Sequence, residues 1–172
     1  VLAHSEEAIR CLTEIIQTPS VTGNEEEVSH VFQKWIELAG LSVQRIYGAP
    51  GRPNLIADWN EGEEGKHFLF NGHMDVFPPS LGDDCKYGPW PAKIVDGYMY
   101  GRGTGDMKGG DCAALMAVTF LKRMGFHPKG TVTLSYMSDE ENGGWLGAKY
   151  LTQNGYLDAD VGICMEPTRG MI

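Results

Sequence analysis

Histidine and carboxylate side chains follow three apolar segments of this 172-residue sequence. The segments are residues 68–70, 131–137 and 161–165, and the polar residues just beyond them are His73, Asp75, Asp139, Glu140, Glu141 and Glu166. In open α/β sheets, functional groups gather beyond the carboxyl ends of the strands. If the segments are neighbouring strands, one imidazole and several carboxylates meet at one edge, a ligand set that suits zinc, cobalt or manganese.

His73 and Asp75 are two residues apart, and this spacing has a physical consequence. In an extended segment, such residues project to the same side. We therefore expect the carboxylate of Asp75 to accept a hydrogen bond from the His73 ring, which fixes the tautomer of the imidazole. A capping role for Asp75 is the weaker alternative, because residues 76–79 offer no helix to cap.

A glycine-rich loop, residues 101–110, carries Asp106 and precedes a predicted helix. A dinucleotide-binding loop starting at Gly103 would need glycine in place of Lys108, and a phosphate-binding loop would need glycine in place of Met107. The glycines instead indicate a tight turn that lets Asp106 approach other groups closely. A carboxylate held there is able to bridge two cations.

Hydrophobic periodicity predicts the helices and strands that position these residues. One amphipathic helix is expected near residues 6–17 with Ser5 as its N-cap, and a second between a capping box of Thr22 and Glu25 and the stop signal Gly40. The other predicted elements are strands at 41–47, 54–59, 131–137 and 161–165, a strand at the apolar run 68–70, a hairpin at 92–100, and helices at 111–124 and 145–153. Residues 76–91 have the length and composition of a functional loop.

The order of these elements indicates the fold class. Strands and helices alternate in the second half of the chain, which predicts a three-layer α/β fold. Its sheet is expected to be largely parallel, with helices on both faces.

Composition limits the classes of partner and the compartment. The formal net charge is −9 and basic residues are not clustered, which argues against a nucleic acid or an anionic membrane as partner. No apolar stretch approaches the length of a membrane span. The four cysteines are widely spaced, so we expect buried free thiols, a reducing compartment and a cytoplasmic protein.

Four segments together resemble one enzyme superfamily in order and spacing. They are His73-Met74-Asp75, residues 101–110, Asp139-Glu140-Glu141 and Glu166-Pro167-Thr168. These motifs are similar to those of the co-catalytic zinc peptidases that include acetylornithine deacetylase, succinyl-diaminopimelate desuccinylase, carboxypeptidase G and aminoacylase. The resemblance runs from the N-terminal helix to the end of the chain.

The resemblance implies two divalent metal ions, zinc first and cobalt or manganese as alternatives, and a role for each matching residue. The implied metal ligands are His73, Asp106, Glu141 and Glu166, of which Asp106 bridges the two ions. Asp75 orients His73. Glu140 is the implied general base, which takes a proton from the attacking water and passes it to the leaving amine.

Two parts of the family pattern are missing from the sequence. The family has a second ligand histidine far downstream and a smaller inserted domain for dimerisation and substrate recognition, and neither has a counterpart here. We therefore expect residues 1–172 to be a catalytic domain truncated at its C-terminus, with an incomplete ligand set at Glu141 and weak or no activity by itself. Full-length relatives are expected to be homodimers.

The predicted function is hydrolysis of the amide bond in an N-acyl amino acid or a small peptide by metal-activated water. A non-catalytic metal-binding or scaffold module with the same fold is the alternative. A nucleotide-binding protein ranks third.

Overall fold

Two helices and then five strands form the first part of the fold, and helices and strands alternate after them. The computed structural model describes residues 4–83 and 85–168. The helices are α1 (Ser5–Gln17), α2 (Glu26–Leu38), α3 (Lys108–Arg123) and α4 (Ala148–Gln153). The strands are β1 (Gln44–Ala49), β2 (Arg52–Asn60), β3 (His67–His73), β4 (Lys93–Val95), β5 (Tyr98–Tyr100), β6 (Thr131–Met137) and β7 (Val161–Cys164).

The main sheet has five strands in the order β1-β2-β6-β3-β7. Strand β3 is parallel to both β6 and β7, whereas β2 is antiparallel to β1 and β6. The prediction of a largely parallel α/β sheet is confirmed, and β2 is the strand that runs against the others. Strands β6, β3 and β7 are adjacent and parallel, so their carboxyl ends lie along one edge of the sheet.

Helices cover both faces of this sheet. Helices α1, α2 and α3 pack on one face in a cluster that includes Phe32, Trp35, Leu115 and Tyr136, all almost fully buried. Helix α4 covers part of the other face, where Leu151 meets Ile46, Ile56 and Met137. Each buried large apolar side chain contributes roughly 1.5–3 kcal/mol, so the two clusters hold the edge that carries the candidate residues.

The predicted helix caps are wrong. Ser5 is the first residue of α1, and the cap residue before it makes no side-chain hydrogen bond to the helix. Helix α2 begins at Glu26, and the capping box is replaced by tertiary contacts: the Thr22 hydroxyl donates to Asp75, and the Glu25 carboxylate accepts from Arg52. Local cap bonds are worth about 1 kcal/mol, and buried charged partners outcompete them.

Several boundaries differ from the prediction, although the elements exist. Helix α3 begins three residues earlier than expected, at Lys108, and α4 is shorter than the predicted helix at 145–153. The hairpin β4–β5 forms as predicted, with positive φ at both Asp96 and Gly97, which fits a tight two-residue turn. In the loop at 76–91, Asp84 lies outside the described residues.

The sequence also predicted buried free thiols and no membrane-spanning segment. All four cysteines are free; Cys11 and Cys112 are buried, Cys85 is half-buried and Cys164 is exposed. The expected burial of the thiols therefore holds for two of the four. None of the helices within residues 4–83 and 85–168 combines the length and the apolar character that crossing a bilayer requires.

A matched pair of glycines tests the packing at the start of β6. Gly62 and Gly130 both have left-handed φ values, of 88° and 85°, so alanine is strained at either by about 1–2 kcal/mol. Only at Gly130 would the added Cβ also lie 2.1 Å from the Lys66 carbonyl oxygen; at Gly62 it meets nothing within 4 Å. We expect Gly130→Ala to lower the free energy of unfolding by about 1–3 kcal/mol more than Gly62→Ala. Urea denaturation measures the free energy of unfolding of both variants. Equal losses would contradict the close approach of Gly130 to Lys66.

Candidate metal centre

His73 ends β3 at the edge shared by the parallel strands. Its Nε2 atom lies 3.3 Å from Asp106 Oδ1, 3.3 Å from Glu166 Oε1 and 3.6 Å from Glu140 Oε2. One ligand atom each from His73, Asp106 and Glu166 fall within 4.8 Å of one another. The structure thus brings together residues that are separated by more than ninety positions in the sequence.

The hydrogen bonding of the His73 ring settles its tautomer. Its Nδ1 atom lies 2.9 Å from the backbone carbonyl oxygen of Asp75 and 3.5 Å from the nearest oxygen of the Asp75 carboxylate. The nearer acceptor is therefore the carbonyl, where the sequence predicted the carboxylate. Because a carbonyl only accepts, Nδ1 carries a hydrogen, and Nε2 is the ring nitrogen that has a lone pair when the imidazole is neutral.

The Nε2 atom of His73 is buried, and it has no hydrogen-bond partner among the residues that the structure describes. It nevertheless points at three carboxylates. A ring nitrogen buried among carboxylate acceptors needs a positive charge, which either a proton on Nε2 or a cation bound between these groups supplies. The donor set of one imidazole and several carboxylate oxygens therefore fits a divalent transition metal.

Asp75 connects the His73 strand to the segment after β6. Its carboxylate is fully buried and accepts hydrogen bonds from the Thr22 hydroxyl at 2.8 Å and from the backbone N–H groups of Glu140 and Glu141 at 3.1 and 3.2 Å. Burial raises the pKa of Asp75, but the His73 ring, the Thr22 hydroxyl and the Glu140 amide outweigh burial and hold this pKa below its usual value. Asp75 is thus an ionised carboxylate with several donors around it.

Glu140 and Glu141 lie in one turn of 3₁₀-helix, Glu140–Asn142. Left-handed residues stand on both sides of this turn, Asp139 with φ of 72° and Gly143 with φ of 98°. The Glu141 carboxylate accepts from the Phe77 amide at 3.3 Å, and burial followed by the charge of Asp106 raises the pKa of Glu141. Glu141 lies outside the three-residue group around His73.

Asp106 lies in the glycine-rich loop. This loop forms a series of tight turns between β5 and α3. Gly103 adopts a φ of 86°, and a Cβ on Gly109 would lie 2.3 Å from the Thr104 carbonyl oxygen. The Asp106–Met107 peptide bond is cis. After it, the fully buried Lys108 donates to the carbonyl oxygens of Ile15 and Thr18 at the end of α1, which fastens the loop to that helix.

The cluster carries an excess of negative charge. Burial lowers the pKa of His73, but Asp75, Asp111 and Glu140 outweigh burial and raise this pKa to about 10. Burial raises the pKa of Glu166, and the nearby Asp106 and Glu140 raise it further against the opposing effect of His73. Carboxylates that repel one another in this way are stabilised by a bound cation.

Sequence reasoning missed Asp111, which lies beneath this cluster in the first turn of α3. It is fully buried, and neither carboxylate oxygen has a hydrogen-bond partner among the described residues. A Cβ on Gly72 would lie 1.9 Å from Asp111 Oδ1, so only glycine fits beside it. Burial raises the pKa of Asp111 well above its usual value. An acidic residue in an otherwise apolar helix was the available signal.

A cavity of about 550 Å³ opens beside Asp106 and Glu141. Its walls come from the glycine-rich loop and from the loop at 76–91, and include Phe77, Tyr87 and Tyr100. Lys86 and Arg102 add positive charge, and Arg102 forms an ion pair with Asp83. The volume lies in the range of small-molecule sites, so the candidate residues border a space that a substrate could occupy.

The chain belongs to the peptidase family M20/M25/M40, whose profile matches residues 69–171, more than half of the chain. The family resemblance seen in the sequence is therefore confirmed. The matched region contains all six candidate residues, from His73 to Glu166.

Individual relatives agree with this assignment. The chain is 35% identical over 143 residues to a succinyl-diaminopimelate desuccinylase of a Bradyrhizobium strain, covering 79% of this chain and 36% of that protein. Among solved structures, it is similar to an M20 family metallo-carboxypeptidase of Sulfolobus solfataricus, with a TM-score of 0.79, 25% identity, and coverage of 92% of this chain and 37% of that one. The YXEP protein of Bacillus subtilis, described as a dinuclear metal-binding peptidase, shares the fold with a TM-score of 0.69 and 19% identity, over 94% of this chain and 43% of that one.

The buried carboxylate of Asp111 predicts a specific pH dependence of stability. Its folded-state pKa is raised, so its contribution is fully present below the ordinary pKa near 4 and is lost as pH rises toward the folded-state value. In Asp111→Asn, which cannot ionise, that loss disappears. We expect the difference in unfolding free energy between Asp111→Asn and the unsubstituted protein to grow above pH 4 by at most about 1.4 kcal/mol per pH unit. Urea denaturation of metal-free protein from pH 4 to 7 measures this, and parallel profiles would contradict it.

Proposed function

We propose that this chain forms the metal-binding part of the catalytic centre of a hydrolase, which cleaves the amide bond of an N-acyl amino acid or a small peptide. The observation that carries the proposal is the buried Nε2 atom of His73, which faces Asp106 and Glu166 at 3.3 Å. Membership of a peptidase family supports the same reaction class.

The proposed ligands divide between two metal ions. His73 and Glu166 would hold the first ion, Glu141 would hold the second, and Asp106 would be a ligand of both. Support for the second site comes from the cavity that Asp106 and Glu141 share, and from the dinuclear metal binding described for the Bacillus subtilis protein. By ligand chemistry zinc is the first candidate, with cobalt and manganese as alternatives.

Glu140 has the position that a general base needs. Its side chain is 45% exposed and lies 3.6 Å from His73 Nε2, so it reaches both solvent and the proposed first metal site. A divalent metal ion, when bound, lowers the pKa of a water molecule and polarises the amide carbonyl. Glu140 accepts the proton of the attacking water and passes it to the leaving amine. Asp75 orients His73 and the Glu140 backbone and does not itself touch the substrate.

The substrate class is supported by the cavity next to Asp106 and Glu141. Lys86 in its lining suits the carboxylate that N-acyl amino acids and peptides carry, whereas Arg102 is already paired with Asp83. A desuccinylase and a metallo-carboxypeptidase among the similar proteins act on substrates of these two kinds. The rings of Tyr87 and Tyr100 pack edge to face with their centroids 5.0 Å apart and provide an apolar wall for the remainder of the substrate.

We further propose that residues 1–172 are one part of a longer catalytic domain, because the chain spans only 36% of the Bradyrhizobium relative. The remaining ligands of the second metal and the dimerisation domain would then lie elsewhere in the protein, and this chain alone would have weak or no activity. The four free thiols support a reducing, cytoplasmic compartment.

Removal of the central imidazole tests the metal site. We expect His73→Ala to weaken zinc binding by more than about 100-fold, since even residues that only support a ligand cost 10- to 100-fold. His30→Ala is the matched control, because His30 is a surface residue of α2 that faces only Glu26. Equilibrium dialysis with zinc measures both, and equal affinities would contradict ligation by His73.

Removal of the general base tests the reaction. In the full-length protein, we expect Glu140→Gln to retain its metal content and to lower kcat by about 10²–10⁴-fold. Glu64→Gln is the control. Glu64 is exposed and distant in sequence from Glu140, so this substitution should leave kcat unchanged. Metal analysis is combined with a hydrolysis assay on N-acetyl and N-succinyl amino acids and dipeptides. If the unsubstituted metal-loaded protein cleaves none of these, the non-catalytic module is the better interpretation.

A further inference from the structure

A buried ionic network lies behind the turn that carries Glu140 and Glu141. Arg52, at the start of β2, donates from Nε and Nη2 to the two carboxylate oxygens of Glu25 at 2.6 and 2.7 Å. The same Nη2 donates to Asp139 Oδ1 at 3.0 Å. Glu25 is fully buried and Asp139 is 3% exposed, so one guanidinium forms ion pairs with two carboxylates that have little or no contact with water.

Asp139 depends on this network because of its backbone conformation. Its φ of 72° is left-handed, which costs a non-glycine residue about 1–2 kcal/mol. Its side chain is held at both oxygens, by Arg52 at Oδ1 and by the Leu146 amide at Oδ2, at 3.1 Å. Its carbonyl oxygen also accepts from the Gly144 amide at 2.7 Å. These contacts fix the direction in which the chain leaves β6.

The conformation of Asp139 determines where the next two amides point. With φ of Asp139 left-handed, the backbone N–H groups of Glu140 and Glu141 both reach the buried carboxylate of Asp75. If Asp139 returned to an extended conformation, the following peptide groups would rotate away from Asp75. The side chains of Glu140 and Glu141 would then lose the orientation that places them beside Asp106 and His73.

We propose that Arg52 is a positioning residue for Glu140 and Glu141: by clamping Asp139 against Glu25, it holds the turn that presents both glutamates to the metal centre. The inference rests on the roles that the proposed function gives to these glutamates. Arg52 is not among the residues that line the cavity or among the candidate ligands. Its direct contact with the turn after β6 is the bond to Asp139.

The chain contains a closely matched control. Arg45, on the neighbouring strand β1, donates to Glu26 at 2.7 Å, and Glu26 is the residue next to Glu25. The two arginine side chains are similarly covered, at 18% and 15% exposed. Arg45 also binds Ser29 and Gln33 of α2 but makes no contact with the turn after β6. Substitution of Arg45 therefore tests the effect of losing contacts between β1 and α2 alone.

The direct test is amide hydrogen exchange in the metal-free protein. Arg52→Lys keeps a positive charge beside Glu25 but cannot reproduce the fork that reaches both carboxylates. We expect the amides of Glu140 and Glu141 to exchange at least about 10-fold faster in Arg52→Lys, with Arg45→Lys unchanged at these positions. Asp139→Asn tolerates the left-handed conformation but lacks the charge, and it should also speed the exchange of the Glu140 and Glu141 amides. This variant tests the Arg52–Asp139 ion pair if Arg52→Lys does not fold.

Activity provides the second measurement. In the metal-saturated full-length protein, Arg52→Lys should lower kcat by roughly 10- to 100-fold with little change in KM, because misplacement of the general base by about 1 Å has such an effect. Arg45→Lys should stay within twofold of the unsubstituted protein. Equal exchange and equal kcat in Arg52→Lys and Arg45→Lys would overturn the role of Arg52 while leaving the proposed function intact. Absence of hydrolysis by the unsubstituted protein would overturn the proposed function, and the exchange measurement would still decide the role of Arg52.

Discussion

The carboxylate of Asp75 is the interaction on which the rest of this site depends. It is an ionised group with no solvent exposure, which is tolerable only because a hydroxyl and two backbone amides donate to it and an imidazole lies beside it. Through these contacts it joins the end of β3 to the turn after β6. The distance between His73 and Glu140 is consequently fixed by one buried anion and not by the sheet hydrogen bonds alone.

Electrostatic compensation around this anion extends far into the fold. The buried ammonium of Lys108 has a pKa lowered by burial to about 7, although Asp111 and Asp75 oppose that effect. Arg52 forms ion pairs with both Glu25 and Asp139 on the other side of the turn. Buried charges are otherwise rare in protein interiors, and their concentration at one edge of the sheet is typical of functional sites. The acidic excess around His73 Nε2 is the part of this arrangement that protein cations do not balance.

The sequence predicted a feature correctly where the feature depends on residues that are neighbours in the chain, and it failed where a side chain binds a residue that is distant in sequence. Strand β6 was predicted with its observed bounds, because a β-branched apolar run has few alternatives. Thr22 and Glu25 were assigned to a helix cap on the basis of their spacing, and both side chains instead bind residues more than twenty-five positions away. Arg52 was not identified as a site residue, because an isolated basic residue in a sequence carries no indication of what will face it. Asp111 was missed although it is an acidic residue in a largely apolar helix.

Sequence by itself determined the family of the chain, since His73, Asp106, Glu140, Glu141 and Glu166 follow apolar strands or a glycine-rich turn in the order of that family. Spacing along the chain also indicated that parallel strands would carry these residues to one edge. Only the tertiary structure decided that the carbonyl of Asp75 fixes the His73 tautomer, and that Asp75 itself holds the glutamate turn. The reason is that hydrogen bonding and burial act over a few ångströms between groups that are distant in sequence, and local pattern has no access to that geometry.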